Sequence, residues 1–508
     1  MTFLLSSKLD YPDFAELDGP IAIIDIGSNS IRLVIFDAIG RTPATLFNEK
    51  VTCGLGRSIG ETGRLSTEGV ELALPNLQRF AKLAQSLGVA WTVCLATAAV
   101  RDAEDGPDFV EQVAALCGLS VTVLTGNEEA LLSASGVISA FPFASGLIAD
   151  LGGGSVELVE VNNGILGQSV TLPLGTLYLM NLGRATDKKV RKEIDRQLEQ
   201  VNWLSAIKGN EFYTVGGSWR NLARLTLDTV RYPLHIVNGY QLPVSAVRDM
   251  VRVLGRQTSR SLDGIRSISK RRLEALPYGA LLMERIIAAA CCRGVTFTAQ
   301  GLREGFIHDC SSEQEQSQDP LLQAAKELAL RDDRLDSMGP ELFDWTSTLF
   351  DSETMEQKRL RQAACWLADI GWREHPDYRG AIVFNWILQY PFLAIDHPGR
   401  VFLAYSLLVR YGNPLKDDTT RDLLTLLSSE QLSRARILGA ALRLAFRVSA
   451  VLAENLRRSS LEIIDGQVEL SLPNDGSLPD GKAVQQGLSA LNKALRQNEN
   501  NLSIIDRS

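Results

Sequence analysis

The chain has 508 residues, 45% hydrophobic and 22% charged, with a formal net charge of −8 at pH 7. That length and composition imply a globular protein of more than one domain, and the acidic balance argues against the broad basic field of a nucleic-acid binder. Seven scattered cysteines without a CxxC pair favour a reducing cytoplasm over a disulfide framework or a zinc site, four histidines are too dispersed to suggest a His-rich metal centre, and no apolar run approaches the ~18 residues of a membrane span.

Residues 1–20 read as a loose leader with no cleavable secretory pattern. Residues 21–36, around IIDIGSNSIRLV, read as strand, turn and strand. A glycine-rich loop, CGLGRSIGETGR, fills 53–64. Helical periodicity runs over 67–87, a strand over 90–95, and ATAAVRD follows at the strand's end. A helix over 109–117 and a short strand over 121–124 come next. Residues 125–140, TGNEEALLSASGVISA, open a helix with acids in its first turn, where the helix dipole favours them. This alternation predicts an α/β domain.

The stretch at 148–158, IADLGGGSVEL, organises the rest. Gly152, Gly153 and Gly154 leave room for a ligand to approach the backbone, and bare N–H groups beside an Asp suit a phosphate with its metal ion. A plain hairpin has the same look. The stretch has a second copy, however: 23–34 lies on 148–159 at a shift of 125 without a gap. Asp25 falls on Asp150, Gly27 on Gly152, Ser30 on Ser155, Leu33 on Leu158 and Val34 on Val159. Matching units at that distance predict a duplicated fold with one phosphate loop in each half, facing each other across a cleft.

Residues 164–173 continue the second sheet, and 184–200 form a charged helix whose Lys188, Lys189, Arg191 and Lys192 read as a solvated face. In YTVGGSWRNLARL, 213–225, a strand and a glycine turn open a helix. Its N-terminus is either an anion site or a simple helix start with Ser218 as N-cap. A basic cluster, Lys270, Arg271 and Arg272, precedes another helix, and TFTAQGLREGFI, 296–307, repeats the strand–turn–helix pattern. The polar run SSEQEQSQD at 311–319 marks the main boundary. Beyond it the pattern is helical to about 458, followed by a hairpin over 461–472 with an Asp465-Gly466 turn and a last helix over 483–496.

The motifs IDIGSNSIRLVI, ATAAVRDA, TGNEEALL, IADLGGGSVEL, LPLGTLYL, VGGSWRNLARL and QGLREGFI stand in one order over residues ~21–310. Together they resemble the exopolyphosphatase and guanosine pentaphosphate phosphohydrolase family. The resemblance implies an α/β fold of two ribonuclease-H-like lobes of the actin-like ATPase superfamily, at 1–132 and 133–311. An all-helical, degenerate HD-like domain at 312–458 and a small α+β cap at 459–508 would follow. It implies removal of terminal phosphates with Mg²⁺, and a monovalent cation is a further candidate cofactor. Glu129 takes the place of the general base. Asp150 and Glu157 match the acidic pair linked to the metal and the attacking water, and Asp25 is their counterpart in the first lobe. Ser28, Asn29 and Ser30, Gly152, Gly153, Gly154 and Ser155, and Gly216, Gly217 and Ser218 match phosphate loops. Arg32, Arg101 and Arg272 match phosphate-binding arginines. Read without the resemblance, Glu128 and Glu129 could only stabilise a helix start, Glu157 could be an exposed strand residue, and Arg101 could pair with Asp102.

One departure stands out. WLADIGWREHPDYR at 366–379 looks like the family's HD-type segment, which needs a His-Asp pair, but Ala368 precedes Asp369. The helical part is therefore expected to be non-catalytic, serving dimerisation or substrate guidance, with Arg400, Arg434, Arg436, Arg443, Arg447, Arg457 and Arg458 as cations for a polymeric substrate. The expected partners are inorganic polyphosphate or guanosine pentaphosphate and a second copy of the chain, with neither nucleic acid nor a membrane span. A sugar or acetate kinase of the same superfamily and a binding sensor without turnover are the competing readings. Glu129, Asp150 and Glu157 together argue against the sensor, because a binder needs no base.

Overall fold

Burial alternates along Ile21–Ile26 in a way that places the strand between two layers: Ala22, Ile24 and Ile26 face one apolar cluster, Ile21 and Ile23 another. A strand covered on both faces reads as a nearly unbroken apolar run, and IAIIDI does so except at Asp25. The computed structural model describes residues 4–5, 7–14, 17–256, 270–331, 338–412, 418–478 and 480–505, with the backbone alone at 255–256, 270–272 and 497–505. The chain divides into two units, Met1–Ser317 and Gln318–Ser508.

In the first unit, β1 (Ile21–Ile26), β2 (Ile31–Phe36), β3 (Thr45–Val51), β4 (Trp91–Ala96) and β5 (Val121–Val123) form a sheet of order β3-β2-β1-β4-β5. β1 pairs antiparallel with β2 and parallel with β4. The second sheet holds β6 (Gly146–Leu151), β7 (Val156–Asn162), β8 (Ile165–Leu172), β9 (Glu211–Val215), β10 (Gln241–Pro243) and β11 (Gly294–Phe297), in the order β10-β11-β9-β6-β7-β8. Read from β8, this is the first sheet again with one antiparallel edge strand added, so the α/β expectation holds and the repeat seen in sequence is a repeat of architecture. β3 was missed from sequence because it is an edge strand with only half-buried and exposed positions, which weakens its apolar alternation.

A pair of helices lies between the sheets. Gly126–Ala140 packs Ala130, Ala134 and Val137 on Ile148, Val159 and Val215 of the second sheet, and runs across position 132 without a break. Leu302–Cys310 packs Leu302, Phe306 and Ile307 on Ile21, Ile23 and Leu95 of the first sheet. The two helices touch backbone to backbone. A Cβ on Gly305 would lie 1.7 Å from the Leu132 carbonyl oxygen, and one on Gly136 would lie 2.2 Å from that of Gly301, so only glycine allows this crossing.

The N-terminal segment is not the loose leader its sequence suggested. Leu5 is fully buried, the Leu4 amide donates to Asp309 at 3.0 Å, and Tyr11 packs against Trp91 and stacks on Phe306. The segment has no period of its own because it fills gaps between other elements. No helix among the described residues is long and apolar enough to cross a membrane.

The second unit is helical from Pro320–Arg331 to Ala453–Arg457, then forms a hairpin of β12 (Ser460–Ile464) and β13 (Gln467–Ser471) and a helix over Lys482–Ile505. Asp465 and Gly466 both have positive φ, 51° and 73°, the conformation a two-residue hairpin turn requires. Where the HD-like reading looks for a His-Asp pair, Ala368 is buried and Asp369 is held by Arg410 at 3.1 Å.

Candidate active site

Each central strand ends its inward row of side chains in an aspartate. On β1 that row is Ile21, Ile23 and Asp25; on β6 it is Ile148 and Asp150, since alternate residues share a face. The next strand supplies the partner in register, Arg32 opposite Asp25 and Glu157 opposite Asp150. The repeat is thus symmetric in its aspartates and opposite in the charge beside them.

The turns after these aspartates are built alike. The Gly27 amide donates to the Ser30 carbonyl at 3.1 Å, and the Gly152 amide to that of Ser155 at 3.0 Å. Neighbouring loops take the turns' other carbonyls: Gly54 and Gly56 donate to Asn29 and Ser28, and Gly175 and Leu177 donate to Gly154 and Gly153. Among the described residues, no backbone carbonyl takes the amides of Ser28, Asn29, Gly153 or Gly154, which leaves donors for an anion. The two turns meet: a Cβ on Gly153 would stand 3.4 Å from Cβ of Ser28. A third turn closes beside them. Gly216, at φ 109°, is the N-cap of the helix Gly217–Thr229, so Ser218 lies inside that helix and is not its cap. A Cβ on Gly216 would lie 2.5 Å from the Leu151 carbonyl and 3.1 Å from an Asp150 carboxylate oxygen.

Glu128 and Glu129 take separate jobs one residue apart. Glu128 closes a capping box with Thr125, accepting from its amide at 2.7 Å. Burial raises its carboxyl, but Lys8 and the Thr125 amide bring it below the ordinary range. Glu129 turns inward and accepts from Arg101 at 2.9 Å. Arg101 also pairs with Asp102 at 3.0 Å, so the surface-pair reading is only half of its role. Glu157 is 2% exposed, which excludes an exposed strand residue, and Ser155 donates to it.

The charges are only partly relieved by one another. Burial raises the Asp25 and Asp150 carboxyls above the usual range. Burial pushes Glu129 up to about 7, against the pull of Arg101 and with help from Asp150 and Asp25. Glu157 goes well up for the same reason, with Glu129 and Asp150 adding to it. Burial, then Arg303, pushes the Arg32 guanidinium down to about 10, and the same two causes lower that of Arg220.

Arg303, Arg220 and Ser133 were not singled out from sequence. Arg303 is 6% exposed; its Nε lies 4.0 Å from Asp25, and neither Nε nor Nη1 makes a hydrogen bond among the described residues. Arg220 donates to the Ala299 carbonyl and faces Asp150, and Ser133 donates to Asp150 at 2.6 Å. The signal lay inside the motifs: Arg220 and Arg303 stand in the first turns of their helices, where the dipole disfavours a cation. The Arg272 side chain lies outside the described residues. Lys188, Lys189, Arg191 and Lys192 are exposed as expected.

Asp25, Asp150, Glu129 and Glu157 are an all-oxygen donor set, the type a hard cation takes. Among the described residues no three His, Cys, Asp or Glu groups form a ready-made cage. Mg²⁺ needs none, because it is typically held by one or two carboxylates, waters and substrate phosphates. The residues fit such an ion.

Fold and site define a two-lobed α/β protein of actin-like architecture whose paired turns gather buried carboxylates and guanidiniums. Residues 34–314 match the Ppx/GppA phosphatase family, and the chain belongs to it. Residues 321–500 match a second description, exopolyphosphatase, C-terminal. Exopolyphosphatase 1 of Mycobacterium tuberculosis is 28% identical over 302 residues, 56% of this chain and 87% of the relative. Retrograde regulation protein 2 of Saccharomyces cerevisiae is also 28% identical, over 60% of this chain and 58% of the yeast protein. Among solved structures, the Aquifex aeolicus member of the Ppx/GppA family is 25% identical with a TM-score of 0.50, over 57% of this chain and 96% of that one. An exopolyphosphatase from Cytophaga hutchinsonii shares the fold at 23% identity and a TM-score of 0.53, over 58% of this chain and 99% of that one.

Proposed function

We propose that this chain is an exopolyphosphatase that hydrolyses the terminal phosphoanhydride of inorganic polyphosphate with Mg²⁺, using Glu129 as general base. One observation carries the reading: buried carboxylates and guanidiniums gather at one site, and the contacts between them, Arg101 to Glu129 at 2.9 Å and Arg303 to Asp25 at 4.0 Å, still leave the Asp25 and Asp150 carboxyls raised and the Arg32 and Arg220 guanidiniums lowered. A bound polyanion relieves the guanidiniums and a divalent cation relieves the carboxylates, and a phosphate chain with its metal brings both together. The names of the mycobacterial relative and of the C-terminal match support the choice of polyphosphate.

Phosphoryl transfer asks little covalent chemistry of a protein and depends on positioning and charge. Arg32, Arg101, Arg220 and Arg303 and the amides of the three turns neutralise phosphate oxygens. Asp25, Asp150 and Glu157 are the groups that would hold Mg²⁺, which supplies charge neutralisation on the phosphate oxygens when bound. Ser133 and Ser155 fix Asp150 and Glu157. Glu129, oriented by Arg101, takes the proton of the attacking water; a carboxyl raised toward neutrality accepts it better than an ordinary one.

The test is phosphate release with Mg²⁺ from long polyphosphate and from guanosine pentaphosphate, side by side, because both present a terminal phosphoanhydride. Polyphosphate is the expected preferred substrate, and preference for the nucleotide would reassign it. Glu129→Gln should lower kcat by roughly 10²–10⁴ with binding nearly intact. Near-normal turnover in that variant would remove Glu129 from the role of base.

A further inference from the structure

Lys8 is bound on both sides of one turn. Its Nζ donates to Glu128 Oε2 at 2.6 Å and to the Val123 carbonyl at 3.1 Å. Arg101 does the same one residue further on, donating to the Leu124 carbonyl at 3.1 Å and to Glu129 at 2.9 Å. Two cations thus grip adjacent carbonyls at the end of β5 and adjacent glutamates at the start of the helix Gly126–Ala140. Lys8 is exposed, where an ion pair alone contributes little, but its backbone is anchored. Its own amide donates to the carbonyl of fully buried Leu5 at 2.8 Å, and the preceding Leu4 is tied to Asp309 on the helix Leu302–Cys310.

We infer that Lys8 is a positioning residue for Glu129: it holds the strand–helix turn from outside while Arg101 holds it from inside, so the N-terminal segment sets where the base stands. The inference rests on Glu129 being the base. A base displaced by a fraction of an ångström from the attacking water loses rate without losing the phosphate contacts, because those come from other residues.

Lys8→Met, Lys8→Arg, Glu128→Gln and the double variant Lys8→Met with Glu128→Gln are compared in the full chain, with Mg²⁺ and a short polyphosphate of defined length. Lys8→Met should lower kcat roughly 10- to 100-fold with KM and the thermal midpoint little changed, and Lys8→Arg should restore most of the rate. The double variant should be no slower than the slower single one, since both changes remove one contact. Turnover of Lys8→Met equal to the parent overturns the inference. So does a fall in thermal midpoint with no rescue by Lys8→Arg, which would mark a purely structural contact. Glu129→Gln in the same assay separates the two claims. If it is silent while Lys8→Met is active, only the role of Lys8 fails; if it is active, the base and its positioning residue fail together.

Discussion

Glu129 carries two demands that conflict, and pH exposes the conflict. Its carboxyl ionises near 4.5 in an unfolded chain, and burial pushes it up to about 7 in the folded one. Between those values the native state keeps a proton that the unfolded state has lost. Stability is therefore fully present below about 4.5 and falls as pH rises through 7. Glu129→Gln removes that titration. With divalent cations chelated, the variant should be more stable than the parent at pH 8, by up to about 3 kcal/mol, with the two alike at pH 4; urea melts at both pH values measure this. Parallel stability profiles would mean that Glu129 is not desolvated. This residue was legible in the sequence because its chemistry is local: an acid in a helix first turn, inside a motif, with one aspartate loop before it and the matching one after it in the chain. Arg303 was not, because an arginine in an amphipathic helix looks like any solvated one until the fold buries it. Only its place in the first turn, against the dipole, marked it.

At the scale of elements, the repeated loops could be read from sequence because each turn is determined by its own few residues. The helix crossing that carries Glu129 could not. Gly136, Gly301 and Gly305 look like ordinary glycines, and nothing nearby in sequence shows that two helices, far apart along the chain, meet through them. The contact leaves no room for a methyl group, since the obstructing atoms are backbone. Gly305→Ala should therefore force the helices apart, at or above the upper end of the ~1–3 kcal/mol usual for overpacking. It should also reduce turnover by moving the helix Gly126–Ala140. Gly481→Ala, where an added Cβ meets nothing within 4 Å, is the neutral control. Equal urea midpoints for the two variants would show that the crossing relaxes easily.

On the scale of the whole chain, the sequence marked a boundary near residue 312, and the chain divides between Ser317 and Gln318. Most of the C-terminal arginines already have partners within their own unit. Arg400 is buried, donating to the carbonyls of Leu388 and Phe392, Arg434 is held by Glu353, Arg457 by Glu341 and Arg458 by Asp475. Arg447 donates to the Ala483 carbonyl. These five guanidiniums are engaged within their own unit, and a polymer would have to compete with those partners for them. A long substrate can still be retained by many weak contacts, since attachment spread along a chain keeps a released end nearby. Residues 1–317 hold both sheets, the helix pair and the described carboxylates and guanidiniums of the site. A chain ending at Ser317 is therefore expected to fold and to keep cutting short polyphosphate. On long polyphosphate it should let go early, and gel sizing should show intermediate lengths that the full chain does not accumulate. Arg457→Ala and Arg458→Ala in the full chain should not reproduce that pattern, because their partners are already Glu341 and Asp475. If the shortened chain gives the same product lengths as the full one, retention resides in residues 1–317. If either arginine variant alone releases intermediates, the ion pairs are not what occupies these side chains during turnover.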